Sequence, residues 1–145
     1  MSLFSALSVS ASAMAAQRTR TELLVENLAN AETTRTPDGG PYRRKDAIFE
    51  SSDVSSAFSD LFAVETDPQS TGVKVSNITV DQSEPEKRYM PGHPDADKDG
   101  YVSFPKINPA EDMVDLMGAT RNYEGNIAAI SAVKDMIQRS ISLLG

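Results

Sequence analysis

The fold of this chain is decided by residues 109–144, which read PAEDMVDLMGATRNYEGNIAAISAVKDMIQRSISLL. Counting alternately by three and four from Met113 gives ten positions, eight of which are apolar. This spacing is typical of a helix that packs one stripe of side chains against a partner helix. The predicted stripe consists of Met113, Leu116, Thr120, Tyr123, Ile127, Ile130, Lys134, Ile137, Ile141 and Leu144. We therefore expect one long helix whose stripe is covered within the subunit.

The opposite face of this predicted helix carries small residues. Gly118, Gly125 and Ala132 recur there every seven residues. A glycine inside a helix costs about 1 kcal/mol relative to alanine, so two glycines on one face indicate the close approach of another backbone. The alternative is an exposed face that simply tolerates glycine, and the sequence leaves both open.

Charge and composition exclude several kinds of partner. The chain has 145 residues, a formal net charge of -7 and no cysteine. Nucleic acids and anionic membranes are bound by clustered Lys and Arg, so the acidic charge argues against both. Without cysteine the chain forms neither disulfides nor thiol-based metal or redox sites. No apolar stretch has the length of a membrane span, so direct membrane insertion is not expected.

The beginning of the chain resembles a secretory signal only in part. The run Ala11-Ser12-Ala13 matches a cleavage site, but the first positive side chain is Arg18. A secretory signal carries positive charge before its apolar core, so no cleaved Sec signal is expected. The apolar periodicity instead predicts a helix over residues 2–31, rich in Ser and Ala, whose first turns we expect to become ordered only on assembly.

The chain divides into three predicted segments. They are an N-terminal helix in residues 1–36, a β-rich region in residues 37–107, and the C-terminal helix in residues 108–145. The middle segment holds thirteen acidic and eight basic residues, so we expect it to face solvent. The predicted class is α+β, with the two terminal helices paired as a coiled coil and a small antiparallel sheet between them.

Four strands are predicted in the middle segment, at residues 42–50, 72–80, 88–90 and 100–104. Ile48 and Phe49 are the residues expected to point inward. The alternation of side chains slips in phase at Asn77, which indicates a β-bulge. The Ser-rich loop at residues 51–71 has apolar residues at helical spacing, so it is expected to contain a short helix.

A calcium-binding regulatory module is the alternative function. Asp95, Asp97 and Asp99 precede a glycine in the pattern that opens an EF-hand loop. The twelfth position, which should supply a bidentate glutamate, is Lys106. Since a lysine there repels the ion, an Asp/Gly turn between two strands is favoured.

No pattern in the sequence predicts catalysis. The single histidine, His93, lies between Gly92 and Pro94, and no phosphate-binding or dinucleotide-binding fingerprint is present. The basic cluster at residues 43–45 lies beside a predicted strand, where we expect a solvated edge. The sequence therefore predicts neither an enzyme nor a bound cofactor or metal.

Motifs at both ends resemble the flagellar rod and hook axial proteins. Residues 27–33, NLANAET, resemble the N-terminal signature of that family, and residues 121–126, RNYEGN, resemble its C-terminal element. Residues 37–45 and 91–102 are similar to the short C-type proximal rod subunits of this family. Together these motifs cover nearly the whole chain, with residues 51–71 as the least family-like part.

The resemblance implies a structural subunit of the proximal rod in the bacterial flagellar basal body, spanning the periplasm. Subunits of this kind assemble through their terminal helices into a hollow drive shaft that transmits torque and passes exported subunits. The implied partners are copies of the chain itself, other flagellar rod proteins, the basal-body membrane ring with its adaptor, and the flagellar type III export apparatus.

The resemblance also implies which residues belong to subunit packing. In the N-terminal motif they are Asn27, Leu28, Asn30 and Ala31, and in the C-terminal motif Arg121, Tyr123, Glu124, Gly125 and Asn126. From the periodicity of the long helix we add Met113, Leu116, Gly118, Ile127, Ile130 and Ile137. Gly125 stands where the family more usually has alanine.

Overall fold

The computed structural model describes residues 3–53 and 71–144. Its elements are α1 (Leu3–Ala29), β1 (Lys45–Asp53), β2 (Thr71–Val80), β3 (Glu86–Tyr89), β4 (Tyr101–Phe104) and α2 (Pro109–Leu144). Two long helices with antiparallel strands between them confirm the α+β class. The short helix predicted between residues 51 and 71 falls largely outside the described residues.

Local chemistry sets the start of α2. The side-chain oxygen Oδ1 of Asn108 accepts a hydrogen bond from the Ala110 N–H at 3.2 Å, which caps the first turn. Pro109 occupies the first helical position, where its missing N–H costs nothing. Glu111 and Asp112 place negative charge in the first turn, toward the positive end of the helix dipole. The helix therefore begins at the residue that the sequence predicts.

The end of α1 is capped by its own sequence. Asn30 Nδ2 donates to the Glu26 carbonyl at 2.9 Å, and Asn30 Oδ1 accepts from the Thr33 hydroxyl at 3.1 Å. These bonds satisfy one of the last helical carbonyls and turn the chain away from the helix.

β1 and β2 form an antiparallel hairpin that contains the predicted bulge. Ile48 pairs with Asn77 and Phe49 pairs with Val75, so Ser76 is the extra residue. The predicted phase slip is thus confirmed. Ile48 is exposed and Phe49 is half-buried, because consecutive strand residues point to opposite faces. The prediction of an inward Ile48 was therefore wrong.

β3 and β4 form a second antiparallel hairpin, separate from the first. The described part of the middle segment therefore contains two two-stranded sheets, whereas the sequence analysis predicted one. Val102 and Phe104 are buried, and the Arg88 guanidinium lies 4.8 Å from the centre of the Phe104 ring. The turn between the strands needs Gly100, whose φ is +82°. A Cβ atom there would lie 2.9 Å from Tyr89 Cε2.

α1 lies between α2 and the β1–β2 hairpin. It packs against both, whereas α2 packs against no strand among the described elements. The Val73 N–H donates to Ser12 Oγ at 3.1 Å, which fixes the hairpin along α1. Arg20 near the end of α1 lies 3.5 Å from Asp115 near the start of α2. The two helices therefore run antiparallel.

α1 covers only part of the predicted stripe on α2. Ala119 and Val133 are buried, and they lie one residue before the predicted Thr120 and Lys134. Leu116, Ile130 and Ile137 are half-buried on the same side, and Tyr123 is at its margin. Met113 and Ile127 are 53% and 44% exposed, and Thr120, Lys134 and Ile141 are exposed as well. The expectation that the whole stripe is covered within the subunit was therefore wrong at alternate positions.

Candidate assembly interface

Asn27 joins the end of α1 to the start of β1. Its side chain is fully buried. Oδ1 accepts from the Lys45 N–H at 3.0 Å and from the Tyr42 hydroxyl at 3.0 Å, and Nδ2 donates to the Lys45 carbonyl at 2.9 Å. One buried amide thus forms hydrogen bonds with three polar groups of the segment that follows α1. Buried polar groups need such partners.

Charges around Tyr42 strengthen this junction. The Lys45 ammonium pairs with the Glu26 carboxylate and lies 5.6 Å from the centre of the Tyr42 ring. Burial, together with the negative charge of Glu26, raises the pKa of Tyr42 to about 12. The hydroxyl therefore stays protonated and donates to Asn27 over the whole neutral range.

A buried ion pair connects the same junction to α2. Arg44 Nη2 lies 3.0 Å from Asp112 Oδ1, and the Asp112 side chain is inaccessible to solvent. Neither carboxylate oxygen has a hydrogen bond, because the guanidinium contact lacks the required geometry. Burial raises the pKa of Asp112, against the opposing effect of Arg44, and the negative charge of Asp46 adds to the rise. Arg44 and Lys45 are thus paired and partly buried, which corrects the prediction of a solvated basic edge.

Two of the three carboxylates proposed for calcium, those of Asp95 and Asp97, are engaged elsewhere. Asp95 Oδ2 accepts from the Thr34 hydroxyl at 2.8 Å, and Arg35 lies 3.7 Å from Oδ1. Asp97 Oδ1 accepts from the N–H groups of Asp99 and Tyr101 and so shapes the turn. Within residues 3–53 and 71–144, no group of three His, Cys, Asp or Glu side chains could hold a metal ion. The calcium alternative therefore has no support in the described geometry.

The far side of α2 is open. Gly118 and Gly125 are exposed, and a Cβ atom at either position would meet no atom within 4 Å. Val114 on the same face is 63% exposed, and Met136 and Leu143 are also exposed. Among residues 3–53 and 71–144, no backbone of a neighbouring element lies within 4 Å of such a Cβ atom.

Neither described helix contains an apolar stretch that could cross a membrane.

Known proteins match this chain over nearly its full length. A family model described as the C-terminal part of flagellar basal body rod FlgEFG proteins matches residues 98–143. The flagellar basal-body rod protein FlgC of Borreliella burgdorferi is 38% identical over 99% of both chains. FlgC of Bacillus subtilis is 40% identical over the same shares, and FlgC of Salmonella typhimurium is 36% identical over 99% of this chain and 98% of its own. The chain belongs to the FlgC family of flagellar basal-body rod proteins.

FlgC proteins are structural parts of the basal-body rod rather than enzymes, and the resemblance seen in the motifs is confirmed. The candidate functional site of this FlgC-family protein is therefore a set of packing surfaces. The residues predicted for subunit packing fall into two groups in this structure.

The N-terminal group lies at the junction. Asn27 is buried there, and Leu28, Asn30 and Ala31 are half-buried around it. Asn27 and Asn30 stabilise the subunit itself, through the hydrogen bonds given above. Their contribution to contacts between subunits stays a prediction.

The C-terminal group is spread along α2. Leu116, Asn126, Ile130 and Ile137 are half-buried on the side of α1, whereas Met113, Gly118, Arg121, Tyr123, Glu124, Gly125 and Ile127 are exposed. Asp112, which marks the junction, precedes Arg121 by nine residues, or about 13 Å along the helix. The two FlgC-family motifs are therefore not brought together within one subunit.

Three residues of this FlgC-family junction were missed by the sequence analysis, namely Tyr42, Arg44 and Asp112. Their partners lie 15 or more residues away in sequence, as with Tyr42 and Asn27. Local periodicity carries no information about such pairs. The one available signal was the placement of three bases, residues 43–45, beside a strand in an acidic chain.

Proposed function

We propose that this protein is a subunit of the proximal rod, which self-assembles through its terminal helices into the hollow drive shaft of the flagellar basal body. In this role it transmits torque and passes exported subunits. The helix pair, packed as a coiled coil, forms the inner tube, and residues 37–107 form the outer region. The protein reaches its place across the periplasm through the flagellar type III export apparatus.

The observation that carries the proposal is the exposed apolar surface of α2. Soluble monomers rarely expose continuous apolar surface, and such patches mark contact sites. The exposed large side chains of α2 are Met113, Val114, Met117, Tyr123, Ile127, Met136, Ile141 and Leu143. They are distributed over several faces, so one helix needs more than one neighbour.

The proposed neighbours are copies of this chain, other rod proteins, and the membrane ring with its adaptor. The row Gly118, Gly125 and Ala132 is suited to the close approach of a neighbouring backbone, because all three are exposed and no described group lies within 4 Å of a Cβ atom at either glycine. Contacts of this kind transmit torque by packing alone and require no chemical step.

Deletion of the gene tests the proposal. Deletion cells are expected to be non-motile and to yield basal bodies that lack a rod, and the wild-type gene should restore both. The restored protein should copurify with basal bodies. Complete rods and normal swimming in the deletion strain would refute a rod function.

A further inference from the structure

One side of α2 exposes large apolar side chains that α1 leaves uncovered. We call this side the flank of α2, and it consists of Met113, Met117, Thr120, Glu124, Ile127 and Ser131. Steps of four and three residues keep these positions on one face of a helix. Met117 is 56% exposed, and Met113 and Ile127 are nearly as exposed. Glu124 is the single charge on the flank.

α1 has a matching exposed face, opposite its buried residues Ala16, Leu23 and Asn27. We call it the stripe of α1, and it consists of Ala11, Ala15, Arg18, Glu22, Val25 and Ala29. Its steps are also alternately four and three residues. Four of its six side chains are Ala or Val, and its two charged side chains pair with each other at 2.9 Å.

We propose that the flank of α2 binds the stripe of α1 from a second copy, with the two helices antiparallel. The inference rests on the proposed rod function and names the segment that fills one of its contacts. Met113 at one end of the flank then lies opposite Ala29, and Ser131 at the other end lies opposite Ala11. Between them every flank residue meets one stripe residue.

In this register, the facing side chains of the flank and the stripe are complementary in size and in charge. Met117 lies opposite Val25 and Ile127 opposite Ala15, so large side chains of α2 meet small side chains of α1, as interdigitated packing requires. Glu124 lies opposite Arg18, so opposite charges meet.

Other arrangements of the same two surfaces are unfavourable. A parallel arrangement in the same alignment places Glu124 opposite Glu22, and like charges across an interface cost free energy. A shift of the antiparallel register by one heptad places either Met117 opposite Arg18 or Ile127 opposite Glu22. Each of these places a charged side chain of one copy against an apolar side chain of the other, which offers it no opposite charge. The antiparallel register with Glu124 opposite Arg18 avoids both.

The proposed contact joins two different surfaces, so it is heterologous. Each copy then carries one flank and one stripe, and bound copies still have a free surface at each end. Heterologous contacts generate rings or open helical filaments, whereas a twofold contact would stop at a dimer. One pair of helix faces would thus be enough to join successive copies into an open assembly, as a rod requires.

Disulfide crosslinking tests the pairing directly, because the chain has no native cysteine. A tagged Val25→Cys copy and an untagged Met117→Cys copy are produced in one cell, and purified basal bodies are oxidised. A mixed disulfide dimer containing both forms is expected. Val114→Cys is the matched control, because Val114 is exposed on another face of α2. Paired with Val25→Cys, it should give no mixed dimer.

The results separate this inference from the rod function. If both cysteine variants are in the basal bodies but give no mixed dimer, or no more than the control, the pairing is refuted and the rod function stands. If the wild-type protein is absent from basal bodies, the rod function itself fails.

If a cysteine variant fails to assemble, a second experiment tests the same register by exchanging the charges at Glu124 and Arg18. Glu124→Arg and Arg18→Glu each place like charges in contact, and each should lower basal-body yield roughly tenfold, as about 1.4 kcal/mol per contact implies. The double variant restores opposite charges between copies and should recover most of the yield. A double variant no better than the single variants overturns the proposed register.

Discussion

At the scale of single residues, the connection between α1 and β1 depends on one amide. Asn27 uses both its oxygen and its nitrogen, and its three partner groups belong to Tyr42 and Lys45. The side chain is fully buried. The neighbouring Asn30 makes two side-chain hydrogen bonds from a partly buried position, donating to the Glu26 carbonyl and accepting from the Thr33 hydroxyl. The two asparagines of the family motif therefore differ in what they stabilise.

We predict that Asn27→Ala lowers the free energy of unfolding by about 2 to 4 kcal/mol, because it leaves buried donors and an acceptor unpaired. Asn30→Ala, the matched control, should cost about 1 kcal/mol, since its two side-chain hydrogen bonds join partly buried groups that water can reach once the side chain is removed. Urea unfolding followed by tyrosine fluorescence measures both. Equal losses in the two variants would contradict the role assigned to Asn27.

The pair of Arg44 and Asp112 gives a second prediction at this scale. Arg44→Met leaves a buried carboxylate without a partner and should cost about 3 kcal/mol at neutral pH. Asp112→Asn should cost much less, because Arg44 keeps Asp46, whose carboxylate lies 3.3 Å away.

The pH dependence of these variants follows from the pKa of Asp112. Burial already raises this pKa in the folded protein, and the loss of Arg44 raises it further. A group whose pKa is raised on folding stabilises the fold most below its unfolded pKa, about 3.9 for aspartate, and loses that effect as the pH rises. The deficit of Arg44→Met should therefore shrink between pH 7 and pH 4. A deficit that does not change with pH would contradict this account.

At the scale of elements, α2 is a 36-residue helix with few buried side chains. Among its described side chains only Asp112, Ala119 and Val133 are buried. A helix gains most of its stability from tertiary packing, so the half-buried residues beside them matter more than usual. Leu116 and Ile130 belong to that half-buried set.

We predict that Leu116→Lys or Ile130→Lys weakens the packing of α1 on α2 by about 2 kcal/mol, the value of burying such a side chain. Either change should abolish rod assembly and swimming. Ser140→Lys, at an exposed position near the end of α2, is the control and should swim normally. Normal swimming of the Leu116 and Ile130 variants would count against the helix pair.

The same helix shows what sequence can and cannot predict. The start of α2 at Pro109 and the bulge near Asn77 in β2 depend on residues that are close in sequence, and both were predicted. The buried side of α2 was predicted only at alternate positions, because Ala119 and Thr120 fit the heptad count almost equally well. Which one faces α1 depends on contacts such as that of Arg20 with Asp115, which join distant parts of the chain. The junction residues were missed for the same reason.

At the scale of the whole molecule, α1 is the central element. α2 lies on one side of it and the β1–β2 hairpin on the other. The β3–β4 hairpin is joined to the rest through loops, as in the hydrogen bond between Thr34 and Asp95. The packing available to one subunit is therefore small for its length.

We predict that the purified subunit shows less helix by circular dichroism than helices of 27 and 36 residues provide. Ordering the backbone of a residue costs about 1 to 2 kcal/mol of conformational free energy. The exposed helix faces offset little of this cost until neighbouring subunits bury them. Helix content should rise when subunits assemble. A compact monomer with the full helix content would contradict this expectation.

The β1–β2 hairpin has a further consequence for how such proteins can vary. Asp53 pairs directly with Thr71, so the ladder is closed before the chain enters residues 54–70. Doubling the length of a flexible loop adds only about 0.6 kcal/mol to the cost of closing it. Residues inserted or removed beyond this pair leave the strand register, the junction at Asn27 and both helices as they are. We therefore expect that a lineage can lengthen the protein, or an experimenter can insert an epitope, between Asp53 and Thr71 without changing the two helices.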